Sequence, residues 1–253
     1  MKPTALLFIS LIIIPLTLWC QNADTTKPGR ISIGITISPD YGYRVLNTSK
    51  SSTWIEDTRD TTEIPKFGFT AGIDLAFRIN KRISLEAGLL YSDKCYQTKN
   101  ITLVDLNTSG QPDTLFPAIA KSTYHYIYLE IPIKINYYLL TKRAKLYLTG
   151  GISLNILLAQ KSNLKVEFKD GQNETYKSTV TSGFRTINLA ALAGVGFSYD
   201  VTKRIYFKIE PVFRCSMTPI FHAPIQEYLY SIGLNTGLYY RLWERFLIAG
   251  GKI

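Results

Sequence analysis

Two histidines are the first side chains of this 253-residue sequence that could do chemistry. His125 follows Ser122 and Thr123 closely, and a histidine that activates a nearby hydroxyl is the working pair of many hydrolases. The alternative is that His125 and His222 are ordinary surface residues, because an isolated histidine is more often structural than catalytic. We therefore expect no enzymatic activity and keep a hydrolase centred on His125 as the last of three hypotheses.

Three glutamates in apolar segments could also act as a general acid and base. Glu86, Glu130 and Glu210 share their surroundings with basic residues such as Lys134 and Lys208, which favours an ionic network over acid and base catalysis. No spacing of histidines and cysteines matches a metal site, and no glycine-rich phosphate loop precedes a helix. The sequence therefore predicts neither a metal nor another cofactor.

The segment that contains Glu130 indicates which element positions these groups. In TYHYIYLEIPIKINYYLL, apolar or aromatic residues occupy every odd position from Ile127 to Leu139, whereas Glu130, Lys134 and Asn136 occupy even positions. Successive side chains of a β-strand point to opposite faces. A period of two therefore predicts a strand with one apolar and one polar face.

The same alternation recurs along the chain and gives eight candidate strands. Their connections alternate in length, because NKR, TKRA and VTK are short whereas 40–65, 97–122 and 161–182 are long. We place the strands at 31–37, 66–79, 82–92, 123–140, 145–158, 187–199, 205–215 and 228–242.

The N-terminal residues predict export from the cytoplasm. One lysine, an apolar run from Ala5 to about Trp19 and then polar sequence are typical of a secretory signal peptide. A lipoprotein signal ending at Cys20 is the alternative, although Trp19 is bulky for the position before a lipidated cysteine. We assign a signal peptide to 1–20, a short periplasmic segment to 21–29 and one domain to 30–253.

Strands must make any membrane span, because no apolar stretch after the signal approaches the roughly 18–20 residues that a membrane helix needs. An exported chain with an even number of strands and a short connection at every second position is typical of an outer-membrane barrel. Outward aromatic residues gather at both strand ends, as the two bilayer interfaces favour. The predicted fold class is all-β: an eight-stranded up-and-down antiparallel transmembrane β-barrel of the cell outer membrane, with short periplasmic turns and long extracellular loops.

The charge of the chain restricts its partners. A formal net charge of +10 on an exported protein favours contact with anionic lipid rather than nucleic acid. We expect outer-membrane lipid and lipopolysaccharide as partners, no nucleic acid, and a protein or glycan as a further candidate partner at the extracellular loops. In KSNLKVEFKDGQNETYKSTV, two strands joined at DGQN predict a ribbon that protrudes beyond the membrane.

The register of the hairpins can be predicted by aligning their apolar faces across the shortest turns. This alignment places Lys134 opposite Gly151. It also places Lys208 opposite Gly196. Large charged residues thus face small ones, which suits a narrow interior that side chains can fill.

Polar residues of the inward faces are expected to close this interior without an open pore. They carry both signs, so mutual pairing can compensate for their removal from water. Pro132 and Pro211 lack the amide hydrogen that a central strand needs, so we expect a bulge at each. The predicted lumen ionic network comprises Asp74, Arg78, Glu86, Glu130, Lys134, Lys208, Glu210, Arg214 and Arg241.

Stretches from most of the mature sequence resemble one known family. They are SPDYGYRVL, KFGFTAGIDLAFRINKRISLEAGLLYSDKCY, YLEIPIKINYYL, LTGGISLNILL, AGVGFSYDVTKRIYFKIEPVFR and YSIGLNTGLYYRL. Together they resemble the Bacteroidetes outer-membrane β-barrel domain family, with its PorT-like and porin-family small barrels. The resemblance implies an eight-stranded barrel with a structural or binding role. An accessory role in a PorT-like secretion and gliding system is the alternative, ahead of an outer-membrane lipid hydrolase.

Overall fold

Antiparallel strands make up most of the structure, a computed structural model that describes residues 28–48, 53–103, 117–168, 170–180, 183–221 and 225–243. The predicted signal peptide, most of the predicted periplasmic segment, His222 and the residues after Trp243 lie outside the described residues. In chain order the elements are β1 (Pro28–Thr48), α1 (Thr53–Thr62), β2 (Glu63–Arg78), β3 (Ile83–Thr98), β4 (Ile101–Thr102), β5 (Pro117–Tyr138), β6 (Ala144–Phe168), β7 (Asn173–Val180), β8 (Ile187–Asp200), β9 (Ile205–Ser216) and β10 (Ile225–Trp243).

Eight of the described strands close into a ring. Its order is β1, β2, β3, β5, β6, β8, β9 and β10, and β10 closes the ring against β1, with Ile35 opposite Leu238. The strands β4 and β7 add to β5 and β6 beyond the ring. The predicted eight-stranded antiparallel barrel is therefore confirmed, and closure removes the unpaired edges of the sheet. Among the described residues, no helix is long and apolar enough to cross a membrane.

The two faces of the barrel wall have opposite character. Ile35 is 71% exposed and Ile232 is 58% exposed on the outside, whereas Glu130 and Asn136 have no exposed surface inside. Water would disfavour such a distribution, because burial of apolar surface drives folding in water. Hydrocarbon favours it, so the outer wall is the surface that contacts lipid.

Glycines leave room for the large polar side chains of the interior. Lys134 lies opposite Gly151 as predicted. A Cβ atom at Gly151 would lie 2.1 Å from the carbonyl oxygen of Ile133. At Gly233 a Cβ atom would lie 1.9 Å from Asp40 Oδ1. Bulky side chains thus cross the interior where the opposing strand has none, as a narrow barrel requires.

The predicted register between β8 and β9 is wrong. Lys208 lies opposite Ser198 rather than Gly196. The turn between these strands is longer than the shortest one, because Thr202 Oγ1 accepts a hydrogen bond from the amide of Arg204 at 3.1 Å. Since Gly196 and Ser198 lie on the same face of β8, every side chain keeps its predicted side of the wall.

The predicted bulges at the two prolines are also wrong. Pro132 pairs with Ser153 and Pro211 pairs with Leu234 without a shift in register at either position. The register of β5 against β6 shifts instead beside Ile127. Each proline therefore removes one amide hydrogen but leaves the course of its strand unchanged.

The predicted ribbon of two strands joined at DGQN is confirmed as the outer part of β6 and β7. Other strands, such as β1 and β5, extend further at the outer end than the sequence predicted. β7 pairs with residues 160–167 of β6, and β5 pairs with the same part of β6 on its other side. We call residues 117–126, 160–167 and 173–180 the extracellular ribbon. The helix α1, which the sequence analysis did not predict, lies within the first long loop.

Alanine at Gly151 is expected to lower the free energy of unfolding by about 1–3 kcal/mol, because the methyl group would collide with the backbone of β5. Urea unfolding in lipid vesicles, followed by tryptophan fluorescence, measures the change. Gly150→Ala is the matched control, since a Cβ atom there lies 4.0 Å from the carbonyl oxygen of Leu192. The control should change the stability by less than about 0.5 kcal/mol. Equal losses from both substitutions would contradict the packing at Gly151.

Candidate functional site

The middle of the lumen holds a group that we call the central cluster: Glu86, Lys134, Lys208 and Glu210. Lys134 Nζ lies 2.7 Å from Glu86 Oε1 and 3.1 Å from Glu210 Oε1. Lys208 also forms a salt bridge with Glu86, and Tyr147 donates a hydrogen bond to Glu210 at 2.9 Å. All four ionic side chains are buried. Their opposite charges and hydrogen bonds offset the loss of hydration.

A second ionic cluster surrounds Arg214 towards the outer end. Arg214 Nη1 lies 2.7 Å from Asp40 Oδ1, and Arg214 Nε lies 3.8 Å from Glu130 Oε1. Lys94 Nζ lies 3.5 Å from Glu130 Oε2. Within the described residues, neither carboxylate oxygen of Glu130 accepts a hydrogen bond. Charge attraction at these longer distances is therefore what holds Glu130 in the interior.

Ionic and aromatic contacts occupy the periplasmic end of the lumen. Asp200 accepts hydrogen bonds from Arg241 and from Lys145, with a distance of 2.5 Å for the lysine. The guanidinium carbon of Arg78 lies 5.8 Å from the centre of the Tyr138 ring. Arg78 thus stabilises this end through a cation–π contact.

Most of the predicted network residues form salt bridges with one another, but Asp74 and Arg78 form other contacts. Asp74 accepts hydrogen bonds from Thr36 at 2.5 Å and from Tyr239 at 3.0 Å instead of joining a salt bridge. Arg78 has the ring contact described above. Sequence reasoning missed Asp40 and Lys94, because the predicted strands ended before them. The alternation continues through both positions and could have identified them.

Arg59 of α1 forms ion pairs at the outer mouth of the lumen. Arg59 Nη2 lies 2.9 Å from Glu227 Oε2, and Arg59 Nε lies 2.8 Å from Glu63 Oε1. Burial opposes the charge of Arg59, but its hydrogen bond to Glu63 and the charge of Glu227 outweigh burial and raise the pKa of Arg59. Apolar and aromatic side chains fill the lumen here: Tyr96, Tyr126, Tyr128, Ile220 and Leu229.

The extracellular ribbon carries four lysines on one side, which we call the basic face: Lys121, Lys161, Lys165 and Lys177. Lys121 of β5 lies directly opposite Lys165 of β6, and opposed residues of antiparallel strands point to the same face. Lys161 pairs with His125 on the same side of β5. Lys177 of β7 lies directly opposite Asn163, which is between Lys161 and Lys165 on the same side of β6. The basic face therefore continues the lipid-facing side of β5 beyond the membrane.

On the outer wall, His125 of β5 contacts two residues of β3. His125 Nδ1 lies 3.0 Å from both carboxylate oxygens of Asp93. Cys95 lies directly opposite His125. Ser122 has the opposite strand parity, so the structure does not bring it together with His125. No local sequence pattern pointed to this group, because Asp93 lies 32 positions before His125.

A closed antiparallel ring with an apolar outside and an ionic inside defines an outer-membrane β-barrel. The sequence profile of the outer membrane protein beta-barrel domain matches residues 20–222, and the chain belongs to this family. Its location is therefore the outer membrane. Among proteins with curated functions, none matches the sequence significantly.

Several solved outer-membrane proteins have similar structures. Neisserial surface protein A is 16% identical, with coverage of 85% of this chain and 98% of that chain and a TM-score of 0.40. The outer membrane protease OmpT from Escherichia coli is 10% identical, with coverages of 87% and 99% and a TM-score of 0.46. OprG from Pseudomonas aeruginosa is 9% identical, with coverages of 86% and 98% and a TM-score of 0.35.

Neutralising Glu86 is expected to destabilise the barrel more than any exposed substitution. Glu86→Gln leaves two buried lysines with one carboxylate, so the free energy of unfolding should fall by about 3–5 kcal/mol. Adding Lys134→Met should recover part of this loss and give a coupling of about 0.5–3 kcal/mol. Urea unfolding in vesicles measures both values, with Lys81→Gln in an exposed turn as the control. Strictly additive effects of the two buried substitutions would contradict the pairing.

Proposed function

We propose that this protein is a closed, non-catalytic barrel that binds anionic glycolipid through its extracellular ribbon. The observation that carries the binding role is the basic face, whose lysines extend the lipid-facing side of β5. Lipopolysaccharide carries phosphates at the outer surface of the outer membrane. The lysines would meet these phosphates immediately above the hydrocarbon layer.

The pairing of Lys121 with Lys165 supports an anionic partner. Two like charges directly opposite each other destabilise a sheet. A phosphate between them would convert this repulsion into two favourable ion pairs. Lys161 and Lys165, which are exposed on the same strand, offer further contacts to a ligand with several phosphates.

The closed lumen forms the other part of the proposal. The central cluster and the side chains of the outer mouth lie in series along the axis, and the void beside Lys134 and Lys208 measures only about 10 Å³. A single water needs roughly 10–15 Å³ of such space. This small void supports the proposal that ions have no continuous aqueous path through this part of the barrel.

Planar-bilayer recordings test closure directly. The purified protein should give no large, steady single-channel conductance, because ion pairs and aromatic side chains occupy the lumen. A denatured and refolded sample that shows heat-modifiable gel migration serves as the control for correct folding. Steady openings with a linear current–voltage relation would overturn the closed-lumen proposal.

Binding of purified lipopolysaccharide to the detergent-solubilised protein tests the basic face. Replacing Lys121 and Lys165 with glutamine should weaken binding roughly thirtyfold, since each cation near an anionic membrane surface contributes about 1 kcal/mol. Isothermal titration calorimetry measures the affinity, and lipopolysaccharide without its lipid A phosphates should bind the wild type equally weakly.

The matched control for this experiment replaces Lys81 and Lys142 with glutamine. Both lysines are exposed in turns at the periplasmic end, so the net charge changes equally while the basic face stays intact. The control protein should bind like the wild type. Equal weakening by both double substitutions would show that net charge alone attracts the lipid and would overturn a specific basic face.

The absence of catalysis rests on the surroundings of His125. Its Nδ1 atom contacts Asp93, while Ser122 lies on the opposite face of β5. The Cys95 thiol donates to the carbonyl oxygen of Phe67 at 3.1 Å rather than to His125. In this arrangement neither the Ser122 hydroxyl nor the Cys95 thiol donates its hydrogen to His125, which supports the proposal of a non-catalytic barrel.

The sequence motifs that resemble PorT-like barrels give the second candidate, an accessory role in secretion. Such a role would use the same exterior, with a secretion component bound at the extracellular ribbon or the other outer loops. Recovery of secretion components with the detergent-solubilised protein would favour it over glycolipid binding.

A further inference from the structure

The lipid-facing side of β3 changes from apolar to metal-ligating side chains near its outer end. Leu89 and Tyr91 are exposed towards lipid, and Tyr91 packs against Phe69 with 5.7 Å between ring centres. The next two residues on this face are Asp93 and Cys95. Outward aromatic rings mark the bilayer interface. The change therefore occurs at the level of the lipid headgroups, where charged groups can be hydrated.

Two neighbouring strands hold three possible metal ligands in a fixed arrangement. Cys95 lies directly opposite His125, and Asp93 is two positions from Cys95 on the same face. One ligand atom from each residue lies within 4.8 Å of the other two. Both strands belong to the closed ring. At His125, β5 pairs with β3 on one side and with β6 on the other, whereas the β2–β3 ladder is irregular beside Cys95. Only side-chain rotation is needed to bring the three atoms onto one ion.

We propose that Asp93, Cys95 and His125 form a binding site for a zinc-like divalent transition-metal ion on the outer wall of the barrel. The proposal is independent of glycolipid binding, because none of the three belongs to the basic face. Carboxylate oxygen, thiolate sulfur and imidazole nitrogen are the three donor types that Zn²⁺ accepts. Calcium and magnesium prefer oxygen donors alone, so the thiol and the imidazole select against them.

The existing distances fit such an ion. In tetrahedral geometry, metal bonds of about 2.0–2.2 Å to nitrogen and oxygen place these two donors about 3.4 Å apart. His125 Nδ1 and the Asp93 oxygens are separated by 3.0 Å, so only a small movement apart is needed to admit the ion. The sulfur of Cys95 has to turn from the β2 side, where it lies beside Gly68, towards His125 of β5.

Binding releases one proton from the thiol and changes the tautomer of His125. Nδ1 loses to water the hydrogen that it donates to Asp93, and Nε2 takes one up from water, so that Nδ1 can bind the metal. Cys95 Sγ donates its hydrogen to the carbonyl oxygen of Phe67 at 3.1 Å in the metal-free arrangement. When the metal–sulfur bond forms, the S–H bond breaks and the proton passes to water. The carbonyl of Phe67 lies beside an irregular part of the β2–β3 ladder, between Pro65 and Phe69. Neither sulfur nor carbonyl is therefore locked into regular strand pairing.

Three protein ligands leave a fourth tetrahedral position open. The side chains of Asp93 and His125 are 17% and 21% exposed, whereas Cys95 is almost completely buried. The ion would therefore sit above the sulfur and direct its open position away from the wall. Water would occupy this position in detergent solution.

Cobalt provides a spectroscopic test with the full-length protein in detergent. Addition of Co²⁺ should produce near-ultraviolet absorption from thiolate-to-cobalt charge transfer, with a stoichiometry of one ion per chain. Excess Zn²⁺ should abolish the absorption by competition. Cys95→Ser should eliminate it, and Asp93→Asn or His125→Ala should weaken Co²⁺ binding at least tenfold.

Cys215→Ser is the matched control, because Cys215 lies on β9, outside the group. This variant should retain the absorption and the affinity of the wild type. Heat-modifiable gel migration of every variant verifies that the barrel is folded, so loss of the signal can be assigned to the ligand. An absent charge-transfer band in the folded wild type, or a band that survives Cys95→Ser, would overturn the proposed site.

Discussion

Hydrocarbon cannot donate or accept hydrogen bonds, and each unpaired amide that faces it costs several kcal/mol. This constraint accounts for the closed ring of strands in this protein. The pairing of β10 with β1 satisfies the last backbone edge, and large apolar residues such as Ile35 and Ile232 can then face lipid. Closure also sends every second side chain into a narrow interior, so the polar residues that the sequence alternates with apolar ones have only each other as partners.

The interior is stabilised by opposite charges that meet across the barrel rather than along one strand. Lys134 and Lys208, on β5 and β9, share Glu86 of β3. Glycines such as Gly196 provide space for large interior side chains, since a Cβ atom there would lie 2.0 Å from the ring of Tyr147. Removing one ion from such a group leaves another buried without compensation, which makes the lumen tolerant of few substitutions. The same contacts that satisfy the charges also occupy the interior, so under the proposed closed lumen stability and closure would have one physical origin.

The period of two made most of the barrel predictable. An odd or even position in a strand determines which side of the wall a side chain points to. Glu86, Glu130 and Lys134 could therefore be assigned to the interior before any register was known. The alternation could not determine the length of a turn. The turn between β8 and β9, where Thr202 Oγ1 accepts a hydrogen bond from the amide of Arg204, is longer than the shortest one, so Lys208 pairs with Ser198 instead of Gly196.

Specific contacts between distant segments could not be predicted from the sequence. The contact of Arg59 in α1 with Glu227 depends on a helix that was not predicted. The contact of Asp93 with His125 depends on the register of β3 against β5, which the long loop between them leaves open. The outer end of β5 shows why function is expected there: its lipid-facing side runs from apolar Ile133 through His125 to Lys121 within one continuous strand. A strand fixes the height of each group relative to the bilayer, whereas a flexible loop would lose entropy in adopting one height. Ligands at the headgroup level therefore meet side chains that are already in place.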